Sequence, residues 1–162
     1  MFKNHSILYY LKFSIAAAIL YSIAAGIFLH DESYSKSWVL YIGNMLFALV
    51  IIIFILSYNK KNANSKATMI VGAGHITTIM GIIVACIICA ILVFTLVPGL
   101  INSSAGNPVL HKAPPQMYSG SRHELIFALF FNTIIGNVCG GSFFSIMLAY
   151  LGRLKPNKKY NP

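Results

Sequence analysis

The residue spacing that most resembles a reactive motif is Cys86-Ile87-Ile88-Cys89, a CxxC pattern suited to thiol–disulfide exchange. That chemistry needs an accessible thiolate and an oxidant, and four-span thiol oxidoreductases place such pairs near the oxidising face with further partner cysteines. Here the pair falls in the middle of a long apolar run, where hydrocarbon disfavours the thiolate. Cys139 also lies in an apolar run, so the cysteines predict packing, and nothing suggests a disulfide framework.

The histidines His5, His30, His75, His111 and His123 lie at or beyond the ends of the apolar runs, out of position for haem ligation inside a bundle. His30 with Asp31 and Glu32, and His123 with Glu124, carry metal-ligand types on one common surface, although simple solvation accounts for them. Ser121-Arg122-His123-Glu124 also has capping-box spacing, which gives Glu124 a structural reason. No Gly-rich phosphate loop, HExxH or nucleophile elbow is present, so neither a catalytic residue, a cofactor nor a resident metal is expected.

Three amides remain, Asn44, Asn132 and Asn137, each within an apolar run where an unpartnered amide is costly. Counting about 1.5 Å per residue from the helix ends places Asn44 and Asn132 at similar depth and Asn137 near the midplane. As interhelical glue each contributes about 0.6 to 2 kcal/mol, and this is the favoured reading. The alternative is the lining of a polar path for a small solute.

The elements that must position these groups follow from composition. The 162 residues are 57% hydrophobic and 9% charged, with a mean hydropathy of +0.74, too little polar surface to solvate a globule. Four runs free of Lys, Arg, Asp and Glu, approximately 13–29, 38–58, 76–97 and 125–151, match the length of about 20 residues needed to cross a bilayer. The expectation is an all-α, integral membrane four-helix bundle formed by one domain, 1–162. Residues 13–29 can also be read as a secretory signal peptide, but the apolar run continues past Ser22-Ile23-Ala24, where cleavage would fall.

Between the second and third runs the chain is polar through Lys66, apolar over 67–71, and then Gly72-Ala73-Gly74-His75. One helix over 67–97 would be about 46 Å long, beyond the roughly 30 Å of hydrocarbon, so the glycines predict a break and a short interfacial segment before the third span. Ser37 is placed to cap the second helix, and Trp38, Tyr41 and Tyr58 to sit at headgroup level. The loop over 100–123, with Pro108, Pro114 and Pro115, shows no period.

Small residues recur every four positions in three runs: Ser14, Ala18, Ser22 and Gly26; Thr77, Gly81, Ala85 and Cys89; and, in the fourth, Gly136 with Gly140 alongside Asn137, Gly141, Ser145 and Ala149. Close backbone contact drives helix association in lipid, so these rows predict that spans one, three and four pack together, with span two facing lipid.

Charge sets the orientation. Lys3, Lys12, Lys60, Lys61, Lys66, Arg153, Lys155, Lys158 and Lys159 fall on one side, while Lys36, Lys112 and Arg122 are balanced by Asp31, Glu32 and Glu124 on the other. Basic residues near span ends stay cytoplasmic, so both termini are expected inside, against anionic headgroups. These charges argue for lipid contact, and nucleic acid is not an expected partner. No span contains an acid or base, which argues against a proton-coupled carrier.

The layout, four spans with Ser65-Lys66-Ala67 and an apolar Gly72-Ala73-Gly74 segment leading into the third, resembles bacterial inner-membrane proteins grouped as domains of unknown function. The resemblance implies the inner membrane and brings no activity or functional residues. The function expected from the residues is a non-enzymatic membrane subunit, scaffold or assembly partner, working as a homo-oligomer or with another membrane protein. The alternatives are a component of a solute path and, with least support, an enzyme at the external face.

Overall fold

The structure, a computed structural model, describes residues 7–30, 36–62, 65–97 and 121–152. These form α1 (Ile7–His30), α2 (Trp38–Lys61), α3 (Ala67–Leu96), α4 (Ser121–Phe131), a π-helical turn (Asn132–Gly136) and α5 (Asn137–Leu151). No strand occurs among the described residues. The π turn joins α4 and α5 into one fourth span, so the described residues hold four helices long and apolar enough to cross a membrane. It is an all-α bundle of an integral membrane protein.

Several local expectations are corrected. Gly72 and Gly74 do not break the third span, and no separate interfacial segment precedes it, because α3 runs unbroken for 30 residues. A helical glycine costs about 1 kcal/mol relative to alanine, but at Gly74 the missing Cβ admits Ser145 of α5 and Ile55 of α2, and that packing offsets the cost. At about 45 Å, α3 exceeds the hydrocarbon thickness and must tilt or project. Ser37 makes no side-chain cap because its own backbone is already helical, whereas a capping residue is extended. Tyr58 is turned inward, its hydroxyl 3.3 Å from that of Tyr10, in an aromatic layer with Tyr9, Phe13 and Phe54. The start of α4 at Ser121 fits the capping-box position, but the side chains of 121–124 lie outside the described residues.

The expected grouping of spans one, three and four, with span two facing lipid, is also corrected. α1 packs mainly on α2 and α3, and α5 packs mainly on the same two helices, so α1 and α5 stand at opposite corners. Half of the apolar stretch of α2 is buried, as is half of that of α1, against 28% for α3 and 22% for the fourth span, so span two is not the lipid-facing element. Phe47, Ile51, Phe54 and Ile55 of α2 are wholly enclosed. The physical reason is that a row of small residues is a groove, and a groove is filled by large side chains. A Cβ on Gly81 of α3 would come within 2.9 Å of the Phe47 ring, so Phe47 fills the space that glycine leaves.

The fourth span meets α3 through a reciprocal contact. Gly74 receives Ser145, and Gly141 receives Thr78, as expected of antiparallel neighbours. Each hydroxyl donates to the carbonyl of the glycine one turn earlier on its own helix, Thr78 to Gly74 at 2.9 Å and Ser145 to Gly141 at 2.6 Å. The polar atoms are thus satisfied while the two backbones close together.

Candidate functional site

One polar cluster draws on all four spans, near the Trp38 end of the bundle. Asn44 on α2 donates from Nδ2 to Asn132 Oδ1 in the π turn at 2.9 Å. Asn132 Nδ2 donates to the Tyr21 hydroxyl of α1 over a long 3.5 Å. The Tyr21 and Thr133 oxygens are 2.9 Å apart, and Thr133 is 2.7 Å from the Leu129 carbonyl. Since only the Thr133 hydroxyl can donate to that carbonyl, Tyr21 donates to Thr133, and one direction runs through the whole chain. Cys89 of α3 is buried against Thr133 and Ser22 and completes the set.

Local backbone geometry makes the cluster possible. A π turn holds one more residue than an α turn, which lets consecutive residues Asn132 and Thr133 face α2 and α1 respectively. The irregularity is closed by Asn137, whose Nδ2 donates to the Thr133 carbonyl at 2.9 Å while its backbone N–H turns to Ile134. Glycine is required at 136, where a Cβ would overlap the Asn44 amide, and at 43, where it would come within 2.9 Å of Ala24 and 3.1 Å of Tyr21.

Three buried polar atoms have no hydrogen-bond partner among the described residues: Ser22 Oγ, Asn44 Oδ1 and Asn137 Oδ1. Next to the cluster, a half-open crevice of about 330 Å³ lies between the first turns of α2 and the junction of α4 with the π turn. Asn132 and Gly136 line it together with Ser37, Tyr41, Ala128, Phe131 and the buried Leu40.

The structure therefore joins Asn44 to Asn132 across the bundle and turns Asn137, only 1% exposed, back onto its own helix. Ser14, Ala18, Ser22, Thr77, Gly81, Ala85, Gly141 and Ser145 are buried, whereas Gly26, Gly136 and Gly140 are half-buried. The Ser14 hydroxyl lies 2.9 Å from both the Tyr10 carbonyl and the Thr77 carbonyl, a donor shared between α1 and α3. Cys86 is half-buried, Cys89 buried and Cys139 exposed, all three as free thiols. Asp31, Glu32 and the side chains of His123 and Glu124 lie outside the described residues, as does the loop over 100–120. Tyr21 and Thr133 were not singled out from the sequence. The signal was there, since a hydroxyl within an apolar run needs a partner as an amide does.

Compared with family models, with curated proteins and with solved structures, the chain matches none.

Proposed function

We propose that this chain is a non-enzymatic membrane subunit or assembly partner that acts through helix and lipid contacts. One observation carries the reading: hydrogen bonds join α1, α2 and the fourth span in one chain of donors that ends on the Leu129 carbonyl. Such a network holds helices together and specifies their register. The surrounding surface supports lipid contact, since Ile76, Ile79, Ile83, Ile87 and Ile91 line the outward face of α3. The reading includes both termini in the cytoplasm of a bacterial cell, at the inner membrane. It is supported by the exposed Lys12, Lys60, Lys61 and Lys66 toward one end of the bundle, where anionic headgroups are the natural partner.

The crevice at Asn132 favours a second reading, a solute path past Asn44, Asn132 and Asn137. Enclosure of Leu129, Thr133 and Asn137 beneath it weighs against that reading. Reconstituted vesicles separate the two. The expected result is that wild-type and Asn132→Leu vesicles leak a panel of small solutes no faster than empty ones, while mild-detergent extracts hold the chain in a complex of fixed stoichiometry. Flux that requires Asn132, or a chain that is monomeric without a partner, would reject the assembly reading.

A further inference from the structure

We propose that α1 and α2, at the lysine-rich end of the bundle, bind the phosphodiester of an anionic glycerophospholipid between Lys12 and Lys61. This deepens the lipid-contact reading above and rests on it. Lys12 lies inside a span rather than before one: α1 begins at Ile7, and Lys12 is exposed at the head of the outward row Ile15, Ile19 and Ile23. The pairs Tyr9–Ser57, Tyr10–Tyr58 and Phe13–Phe54 fix the antiparallel register of α1 on α2 and set Lys12 level with Ile55. From that level α2 runs on for about 9 Å to Lys61. The bond from Ser14 to the Thr77 carbonyl likewise leaves about 12 Å of α3 beyond it, back to Ala67. A cation on a lipid-facing row at such depth is costly unless an anion meets it.

Lys61 turns back toward the same place. Its ammonium lies 4.5 Å from the centre of the Tyr9 ring, whose hydroxyl donates to Ser57 at 3.0 Å. Tyr9 and Lys12 are neighbours one turn apart on α1, so the ring brings the ammonium of Lys61 toward Lys12. The ring contact holds one of the two cations before a ligand arrives, which lowers the ordering cost of binding.

The counter-charge has to come from outside the chain. Its acids are Asp31 and Glu32, which follow the last residue of α1, and Glu124, in the first turn of α4, both at the opposite end of the bundle. The surface beyond Lys12 suits a lipid: Ile15, Ala16 and Ile19 are exposed on α1, as are Leu49 and Ile53 on α2, and give an acyl chain an apolar track. A phosphodiester has oxygens for both ammoniums, whereas the amine of a zwitterionic headgroup is repelled by two lysines.

The test is electron paramagnetic resonance of chain-labelled lipids in phosphatidylcholine vesicles holding the full chain. At about 0.5 M salt the Debye length is about 4 Å, which suppresses general attraction to the surface. Spin-labelled phosphatidylglycerol is expected to be held roughly fivefold more strongly than spin-labelled phosphatidylcholine, the worth of one basic residue at the membrane surface. Lys12→Gln and Lys61→Gln are each expected to remove most of that preference, and Lys12→Arg to keep it. Lys60→Gln and Lys66→Gln, which take one exposed charge from the same end, are expected to leave it unchanged.

A wild-type preference that vanishes at this salt, or control variants that lose as much as Lys12→Gln, overturns the site and leaves only a diffuse field. Displacement of the labelled lipid by glycerol phosphate at equal ionic strength overturns it too, and assigns the lysines to a soluble phosphate. The parent reading fails separately: neither label is motionally restricted if the chain does not span the bilayer, whereas failure of the site alone leaves both labels restricted to the same extent.

Discussion

At the scale of single residues, the three amides play different parts although each is an asparagine in an apolar span. Asn44 and Asn132 bond to each other between helices, so their energies are coupled, whereas Asn137 serves the backbone of its own turn. A double-mutant cycle with Asn44→Leu and Asn132→Leu, read by unfolding in mixed detergent micelles, should give a coupling of about 0.6 to 2 kcal/mol. Paired with Asn44→Leu, Asn137→Leu should add its own cost with no coupling beyond about 0.5 kcal/mol. Additive behaviour of Asn44 and Asn132 would mean that their 2.9 Å bond contributes nothing to the bundle. That these amides need partners was legible in the sequence, because hydrocarbon leaves no alternative. Which one pairs across the bundle was not legible, since the direction of Asn137 depends on the π turn.

At the scale of elements, the fourth span is the unusual one, because it contains an extra residue and still keeps Asn137, Gly141, Ser145 and Ala149 on its buried face. A π turn behaves as a one-residue insertion into an α-helix, so removing one residue from it restores regular geometry with both flanks in place. Deleting exposed Ile134 is therefore expected to cost much less stability than deleting exposed Ile146, which rotates every later residue of α5 by about 100°. Thermal melts in detergent check this, and equal losses would show that the turn carries no slack. The boundaries of the spans were readable from charge-free runs, and the row 137, 141, 145, 149 matched the buried face of α5. The π turn was not readable, since Ile134 and Ile135 both face outward and hydropathy registers no surplus residue. The continuity of α3 was missed for a related reason: a glycine that receives a neighbour has the same composition as one that ends a helix.

At the scale of the whole molecule, the arrangement is decided by how grooves and large side chains match between helices, and neither property belongs to one helix alone. Rows of small residues revealed which faces of α1, α3 and α5 are buried, but assigning them to one another placed α2 outside, where its Phe47, Phe54 and Ile55 in fact fill the bundle. The corners can be tested with three substitutions. Gly140 and Gly141 are adjacent, yet a Cβ at 140 meets only Ala48 at an ordinary 3.8 Å, whereas one at 141 overlaps Thr78. Thr78 is β-branched, with its hydroxyl committed to the Gly74 carbonyl, so it cannot swing away cheaply. Gly141→Ala is thus expected to destabilise by about 1 to 3 kcal/mol, as overpacking does, while Gly140→Ala stays neutral or gains up to about 1 kcal/mol of helix propensity. Val50 of α2 is only 7% exposed, so Val50→Phe should also lose about 1 to 3 kcal/mol, where a lipid-facing position would tolerate it. Unfolding free energies of the three variants in one detergent give the ranking directly. A neutral Val50→Phe would return α2 to the lipid surface, and equal effects at 140 and 141 would remove the α3–α5 contact on which the antiparallel register rests.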